Sequence, residues 1–235
     1  FVRHPFSKVL NIFSDDGDTS TNPNPKPNAP SSPPISQIPQ MSSKPATDED
    51  IVLMHPDGVS IRLNPEDLKG VELLIDSLGG ITFTQLIHTF VEHATDGALD
   101  KRQFTAAIDV LLPQEESQDK WIMRFLFLKM FEVFDSNEDG RVDCFEFLSG
   151  VNFLLGADLE HKLSVGFMMV DTNADGFIQS EELLRFFISF FSLIAAISSE
   201  TRALEKEQIQ TLVMHLASSY SEKLLIEADE SNNGM

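Results

Sequence analysis

Two stretches of twelve residues space oxygen donors as a hard divalent cation requires. DSNEDGRVDCFE, Asp135 to Glu146, and DTNADGFIQSEE, Asp171 to Glu182, each fit D-x-[DN]-x-[DN]-G-x5-E at every required position. Calcium takes ~6 to 8 oxygens at roughly 2.3 to 2.6 Å, and a loop of this kind supplies them from positions 1, 3, 5, 7, 9 and 12. In the first loop the donors are Asp135, Asn137, Asp139, the Arg141 carbonyl, Asp143 and a bidentate Glu146. In the second they are Asp171, Asn173, Asp175, the Phe177 carbonyl, Gln179 (directly or through a water) and a bidentate Glu182. Gly140 and Gly176 fall at position 6, where the chain turns sharply, and Val142 and Ile178 fall at position 8, where paired loops can bridge. The sequence thus predicts two Ca2+ sites, with Mg2+ as a competitor. Four carboxylates in the first loop against three in the second predict tighter binding at the first.

Such loops work only between helices, and the flanks supply them. Phe131 and Phe134 precede the first loop, Phe167 and Val170 the second, and Phe147 and Leu183 follow, so each flank presents an apolar face. Helices are expected at about 64 to 79, 82 to 93, 101 to 111, 118 to 134, 144 to 155, 159 to 170, 180 to 199 and 203 to 228. The first opens on Asn64-Pro65-Glu66-Asp67, with a capping Asn, Pro at the first helical position and acids at the positive end of the dipole. Two weaker copies of the loop share the period. In EHATDGALDKRQ (92–103) Gly97, Leu99 and Asp100 keep positions 6, 8 and 9, but Ala94 and Gln103 replace ligands at 3 and 12. The stretch reads as a loop that has lost calcium or as an ordinary helix connection at Asp96-Gly97. From Asp229 the chain reproduces positions 1 to 7 and stops at Met235, so a fourth loop reads as truncated.

Upstream the composition changes. Residues 1–13 carry Arg3 and Lys8 but no acid, with Phe6, Val9, Leu10 and Phe13 at helical spacing, and read as a basic amphipathic segment. Residues 14–50 hold most of the prolines, eight of twelve lying between Pro23 and Pro45, and are expected to be a disordered linker. Apolar residues either side of His55-Pro56-Asp57-Gly58 predict a small β-hairpin over 51–63, ahead of the loop-bearing domain, 64–235. The fold class is therefore all-α, helix-loop-helix repeats with one small hairpin.

The formal net charge of −20, from 37 acidic and 17 basic residues, excludes broad polyanion binding and with it nucleic acid. The single cysteine, Cys144, allows no intrachain disulfide and fits a reducing, cytoplasmic compartment. The longest apolar run, Phe186 to Ile197, is shorter than the ~20 residues a bilayer span needs. A start at Phe1 and a stop inside a motif read as ends cut from something longer, which leaves acylation and membrane association open.

Two full loops and two partial ones resemble the EF-hand superfamily, and within it the calcineurin B, neuronal calcium sensor and calaxin group. The resemblance covers roughly 64–235. It implies paired hands, calcium-dependent opening, and an apolar groove that takes an amphipathic helix of a partner protein. It pairs the Asp135 hand with the degenerate one and the Asp171 hand with the truncated one, although the two complete loops could instead pair with each other.

On the sensor reading, Trp121, Phe125, Phe127, Met130, Met168, Met169, Phe186, Phe187, Phe190 and Phe191 supply core or groove. Phe186 to Ile197, apolar nearly all round, is the candidate surface to be covered by a partner or by the lobe itself. Segment 1–13 is either an internal ligand for such a groove or a remnant of an upstream region. The alternatives to a sensor are a calcium buffer and a calcium-regulatory segment of a larger enzyme or transporter. No catalytic residues are read: His88, Glu92 and His93 miss the zinc-protease spacings, Gly79-Gly80 lacks the Lys and Ser/Thr of a phosphate loop, and Cys144 has no resolving partner.

Overall fold

The computed structural model describes residues 50–54, 57–112, 117–135, 138–154, 169–171 and 173–230. The basic segment 1–13, almost all of the linker 14–50, Asn137, Met168 and the loop begun at Asp229 beyond residue 230 lie outside them. Strands β1 (Ile51–Met54) and β2 (Ser60–Leu63) form the expected antiparallel hairpin, in register Ile51 to Leu63. Helices follow: α1 (Pro65–Leu78), α2 (Phe83–His93), α3 (Lys101–Leu111), α4 (Gln118–Phe134), α5 (Cys144–Val151), α6 (Ser180–Ile197) and α7 (Lys206–Glu230). Two three-residue strands, β3 (Ala98–Asp100) and β4 (Arg141–Asp143), pair antiparallel. The architecture is all-α with two small ribbons.

Local chemistry places the helix starts. Asn64 Oδ1 accepts from the amides of Glu66 (2.9 Å) and Asp67 (3.0 Å), while Asp67 Oδ2 accepts from the Asn64 amide (3.2 Å). Thr82 with Gln85 and Asp100 with Gln103 repeat this reciprocal box at α2 and α3, satisfying amides that have no partner inside the helix.

The hands around β3 and β4 share an aromatic core. The Phe147 ring, fully buried, lies 4.9 Å from that of Phe104, 5.1 Å from Phe90 and 5.4 Å from Phe134, mostly edge to face, the arrangement ring quadrupoles favour. Helix α6 is the hub. It packs on α4, α5, α7 and β2, and Phe187, Phe190, Phe191 and every residue from Leu193 to Ile197 are no more than 1% exposed. Most of the apolar run 186–197 is therefore covered by the protein's own helices, as an all-round apolar helix must be. Of the two covers the sequence left open, the protein itself supplies the larger part, with Phe186 and Ile188 left half-buried. Phe127 and Met130 are likewise core, whereas Trp121 and Phe125 are exposed.

Three helix ends differ from expectation. Helix α5 stops at Val151 and tightens into a 3-10 turn, Asn152–Leu154. Helix α6 ends at Ile197 rather than 199, because Ser198 is extended (φ −62, ψ 124) and donates its hydroxyl to the Arg62 carbonyl (2.7 Å). A second 3-10 turn, Thr201–Ala203, delays α7 to Lys206. The turn between α6 and α7 is where the hairpin is strapped on. Arg62 pairs with Glu200 and with Asp50 (3.6 Å), and the Asp67 carboxylate accepts from the Ser199 amide (3.0 Å), the Ser199 hydroxyl (3.1 Å) and Arg202 (3.4 Å). Of helix 159–170 the described part, Met169 and Val170, is helical. Among the described residues no single helix is long and apolar enough to cross a membrane.

Candidate metal centres

The two complete loops share a backbone conformation at two described positions. Residues 4 and 6 of each have positive φ: Glu138 (59°) and Gly140 (76°) in the first, Ala174 (55°) and Gly176 (82°) in the second. Glycine takes this conformation without the Cβ penalty other residues meet. Stretch 92–103 departs from the pattern, with positive φ at positions 5 and 6, Asp96 (52°) and Gly97 (77°). Thr95 and Ala98 bond amide to carbonyl in both directions (2.9 and 3.2 Å). An Asp-Gly pair with both φ positive, closed by such a bridge, is a tight hairpin turn.

In the first loop, Asp135 ends α4 with its amide on the Phe131 carbonyl (2.9 Å). The residue is 9% exposed, and its Oδ1 is buried with no hydrogen-bond partner among the described residues. Asp139 Oδ1 accepts from the Arg141 amide (2.8 Å). Arg141, whose carbonyl is the position-7 donor, opens β4 and sends its guanidinium to the Thr95 carbonyl of the neighbouring loop (2.5 Å). Asp143 Oδ1 accepts from the Glu146 amide (3.0 Å), so the position-9 ligand also caps the exiting helix α5. The Glu146 carboxyl is raised above its ordinary value, first by desolvation against the surrounding protein, then by repulsion from Asp143, with Arg185 acting the other way. Asn137 lies outside the described residues.

In the second loop the side-chain oxygens of positions 1 and 3 converge on two backbone amides. The Asp175 N–H donates to Asp171 Oδ1 (3.1 Å) and Asn173 Oδ1 (2.9 Å), and the Gly176 N–H donates to Asp171 Oδ2 (2.9 Å). Asp175 accepts from the Phe177 amide (2.8 Å) and from Gln179 Nε2 (3.2 Å). Glu182 is buried, 5% exposed, and its Oε2 accepts from the Gln179 amide at the start of α6 (3.0 Å). Phe177, the carbonyl donor, leaves its ring in solvent at 75% exposure.

Among the described residues no three His, Cys, Asp or Glu side chains are gathered closely enough to grip an ion; the carboxylates instead hold backbone amides. The donor set still fits calcium. It is all oxygen, hard and anionic, and the buried, unbonded Asp135 Oδ1 is a desolvated acceptor that a cation would satisfy. Were it bound, calcium would supply a compact double charge onto which these oxygens close. Cys144, 1% exposed, has its thiol pushed up to about 12 by burial and by neighbouring Asp143. It fills core space.

Loop pairing, open in sequence, is settled by β3 and β4. Leu99 and Val142, the position-8 residues of the degenerate and first complete loops, face each other, and the Cys144 amide donates to the Gly97 carbonyl (2.9 Å). The degenerate loop holds no ligand set. Glu92, at its position 1, turns back along α2 to His88 (3.2 Å), and Gln103, at position 12, donates through Nε2 to Thr95 Oγ1 (2.8 Å). That closure was missed in sequence; its local signal was the Asp100–Gln103 capping pair. Glu138 of the first loop reaches Lys206 at the start of α7 (3.6 Å), a contact with no sequence signal.

A family model of the EF hand matches residues 128–151 and 165–188, the two complete loops with their flanks. The chain is 32% identical over 87 residues to human guanylyl cyclase-activating protein 3, covering 37% of this chain and 39% of that protein. It is 27% identical over 108 residues to a recoverin family protein of Dictyostelium discoideum, covering 45% and 48%. Human calaxin matches at 38% over 55 residues, covering 23% and 26%. These matches span less than half the length of each relative. None of these names is that of an enzyme; the first is named for activating one.

Proposed function

We propose that this chain, an EF-hand protein resembling the neuronal calcium sensor group, is a cytosolic calcium sensor that presents an apolar groove to an amphipathic helix of a partner protein. Its ligands are the twelve residues at positions 1, 3, 5, 7, 9 and 12 of loops 135–146 and 171–182, with magnesium competing for both. One observation carries the reading: a groove of about 790 Å3 runs between α4, α6 and α7, and Asp135, Gly140 and Glu146 of the first loop form part of its wall. A loop that is also a wall cannot close on a cation without reshaping the groove. The other side of the loop is pinned through β4 to β3, so movement is directed toward α7, to which Glu138 is tied through Lys206.

The test is hydrophobic-dye fluorescence as free calcium is stepped at constant magnesium, with bound calcium measured in parallel. A rise at ~0.1 to 10 μM is the expected result for a sensor. Calcium bound with no rise would make the chain a buffer, whose hands barely open.

A further inference from the structure

The groove between α4, α6 and α7 differs in charge from the rest of the molecule. Its floor is apolar, with Ile188 on α6 and Ile209, Val213 and Met214 on α7. Four cations line it, Lys101, Lys129, Arg202 and Lys206, against three acids, Glu132, Asp135 and Glu146. Two of those acids are ligands of the first loop, so with calcium bound Glu132 is the only lining acid outside the metal site. Lys101 (3.7 Å) and Lys129 (2.7 Å) share it. Arg202 and Lys206 reach their own partners, Asp67 (3.4 Å) and Glu138 (3.6 Å), outside the lining. This concentration of cations stands in a chain of net charge −20.

An aromatic stripe leads into the same groove. Trp121 and Phe125, 62% and 49% exposed, are one turn apart on α4, with Lys129 a turn further on at the groove's lip. The Phe125 ring lies 5.8 Å from the Lys129 ammonium and 5.9 Å from the Arg202 guanidinium, so the aromatic surface and the cations are continuous. Large exposed aromatics beside arginine are the composition of binding hot spots.

Deepening the sensor reading, on which it rests, we propose that the groove and the Trp121–Phe125 stripe together dock an acidic amphipathic helix of a partner protein. Such a helix lays its apolar face on Ile188, Ile209 and Val213 and its carboxylates on the four cations. A basic helix meets like charge at the rim, which disfavours this chain's own segment 1–13, with Arg3, Lys8 and no acid. Calcium at the first loop offsets Asp135 and Glu146 in the wall, so the groove becomes more positive as the loop fills. By reciprocity the acidic helix raises calcium affinity by the factor by which calcium raises its own.

The test uses the full chain and two synthetic helical peptides with one Leu/Phe face, one bearing Glu and the other Lys on its polar face. Binding is read from peptide anisotropy and from emission of Trp121, the one tryptophan. In saturating calcium the acidic peptide is expected to bind at least about tenfold tighter than the basic one, more weakly when calcium is chelated, and to shift Trp121 emission to the blue. The double variant Lys101→Glu, Lys129→Glu, whose substituted side chains are substantially exposed, is expected to invert the preference while its calcium stoichiometry is unchanged. Preference for the basic peptide would overturn the proposal, as would equal binding or no binding of both. Binding of the chain to phosphatidylserine vesicles with neither peptide bound would overturn it in favour of a membrane surface. If the dye responds to calcium and the acidic peptide still fails, this inference falls and the sensor reading stands; if the dye does not respond, the sensor reading falls first.

Discussion

Loops 92–103 and 135–146 are joined through one short ribbon, Leu99 against Val142, yet they close by different means. The first has built its closure from protein: a hairpin turn at Asp96-Gly97, the Gln103 amide on Thr95, and a guanidinium borrowed from Arg141. The second leaves a buried carboxylate oxygen of Asp135 without a bond and a Glu146 carboxyl whose ionisation its surroundings resist. An unsatisfied buried polar group costs roughly 1–3 kcal/mol, a cost the silent loop has removed and the complete loop keeps until a cation arrives. On the proposed sensor reading, the difference gives one lobe a fixed half and a responsive half: a static loop is a rigid edge for its partner to move against.

The largest expected effect comes from breaking the responsive half. Glu146→Gln removes one charge and one ligand from the first loop. It should lower calcium affinity there by on the order of a hundredfold, reducing stoichiometry in titration calorimetry from two to one at micromolar calcium. Gln103→Glu is the reciprocal substitution, and it should leave stoichiometry at two, because Glu92 faces His88 and the turn has the wrong backbone for a third site. A third calcium in that variant would sink the comparison.

Next in size is the seating of the exit helices. Helix α5 crosses α6 closely enough that a Cβ on Gly150 would meet the Ser189 carbonyl at 2.9 Å and the Phe134 ring at 3.0 Å. Gly150→Ala should cost about 1–3 kcal/mol by overpacking, read as a lower denaturant midpoint. Because Phe134 adjoins Asp135, calcium should recover part of that loss. In the silent loop, Gln103→Ala removes the capping partner of Asp100 and the bond to Thr95, for roughly 1 kcal/mol. Calcium should recover none of it.

The two complete loops, which the EF-hand family model matches, and nearly all helix starts were legible in the sequence because each rests on local chemistry, a cap or a twelve-residue spacing. What was not legible depends on distant residues. Helix α6 stops two residues early because Ser198 serves Arg62, 136 positions away. The burial of Phe187 and of Phe190 to Ile197 could be read as apolar need but not as the identity of its cover, which is α4, α5, α7 and β2. Pairing of the Asp135 loop was open because Leu99, Val142 and Ile178 all carry the right residue type; the choice was made by where α3 and α5 pack.

The smallest effect separates the two halves by pH. Gln103 cannot titrate, whereas Glu146 in the calcium-free fold is raised above its ordinary 4.5. A carboxyl raised in the folded state favours that state while protonated, and the contribution is lost as pH rises through the raised value. Calcium binds the carboxylate alone, so filling the first loop must expel this proton within that window. The calcium-induced rise in melting temperature should therefore grow as pH is increased from about 4.5 toward neutrality, and protons should be released on binding, seen as a buffer-dependent enthalpy. Glu146→Gln should flatten the part of that dependence due to the first loop, and Gln103→Ala should leave it intact. If both variants kept the wild-type slope, the proton would belong to another carboxylate, and the distinction between a resisting Glu146 and an inert Gln103 would fail.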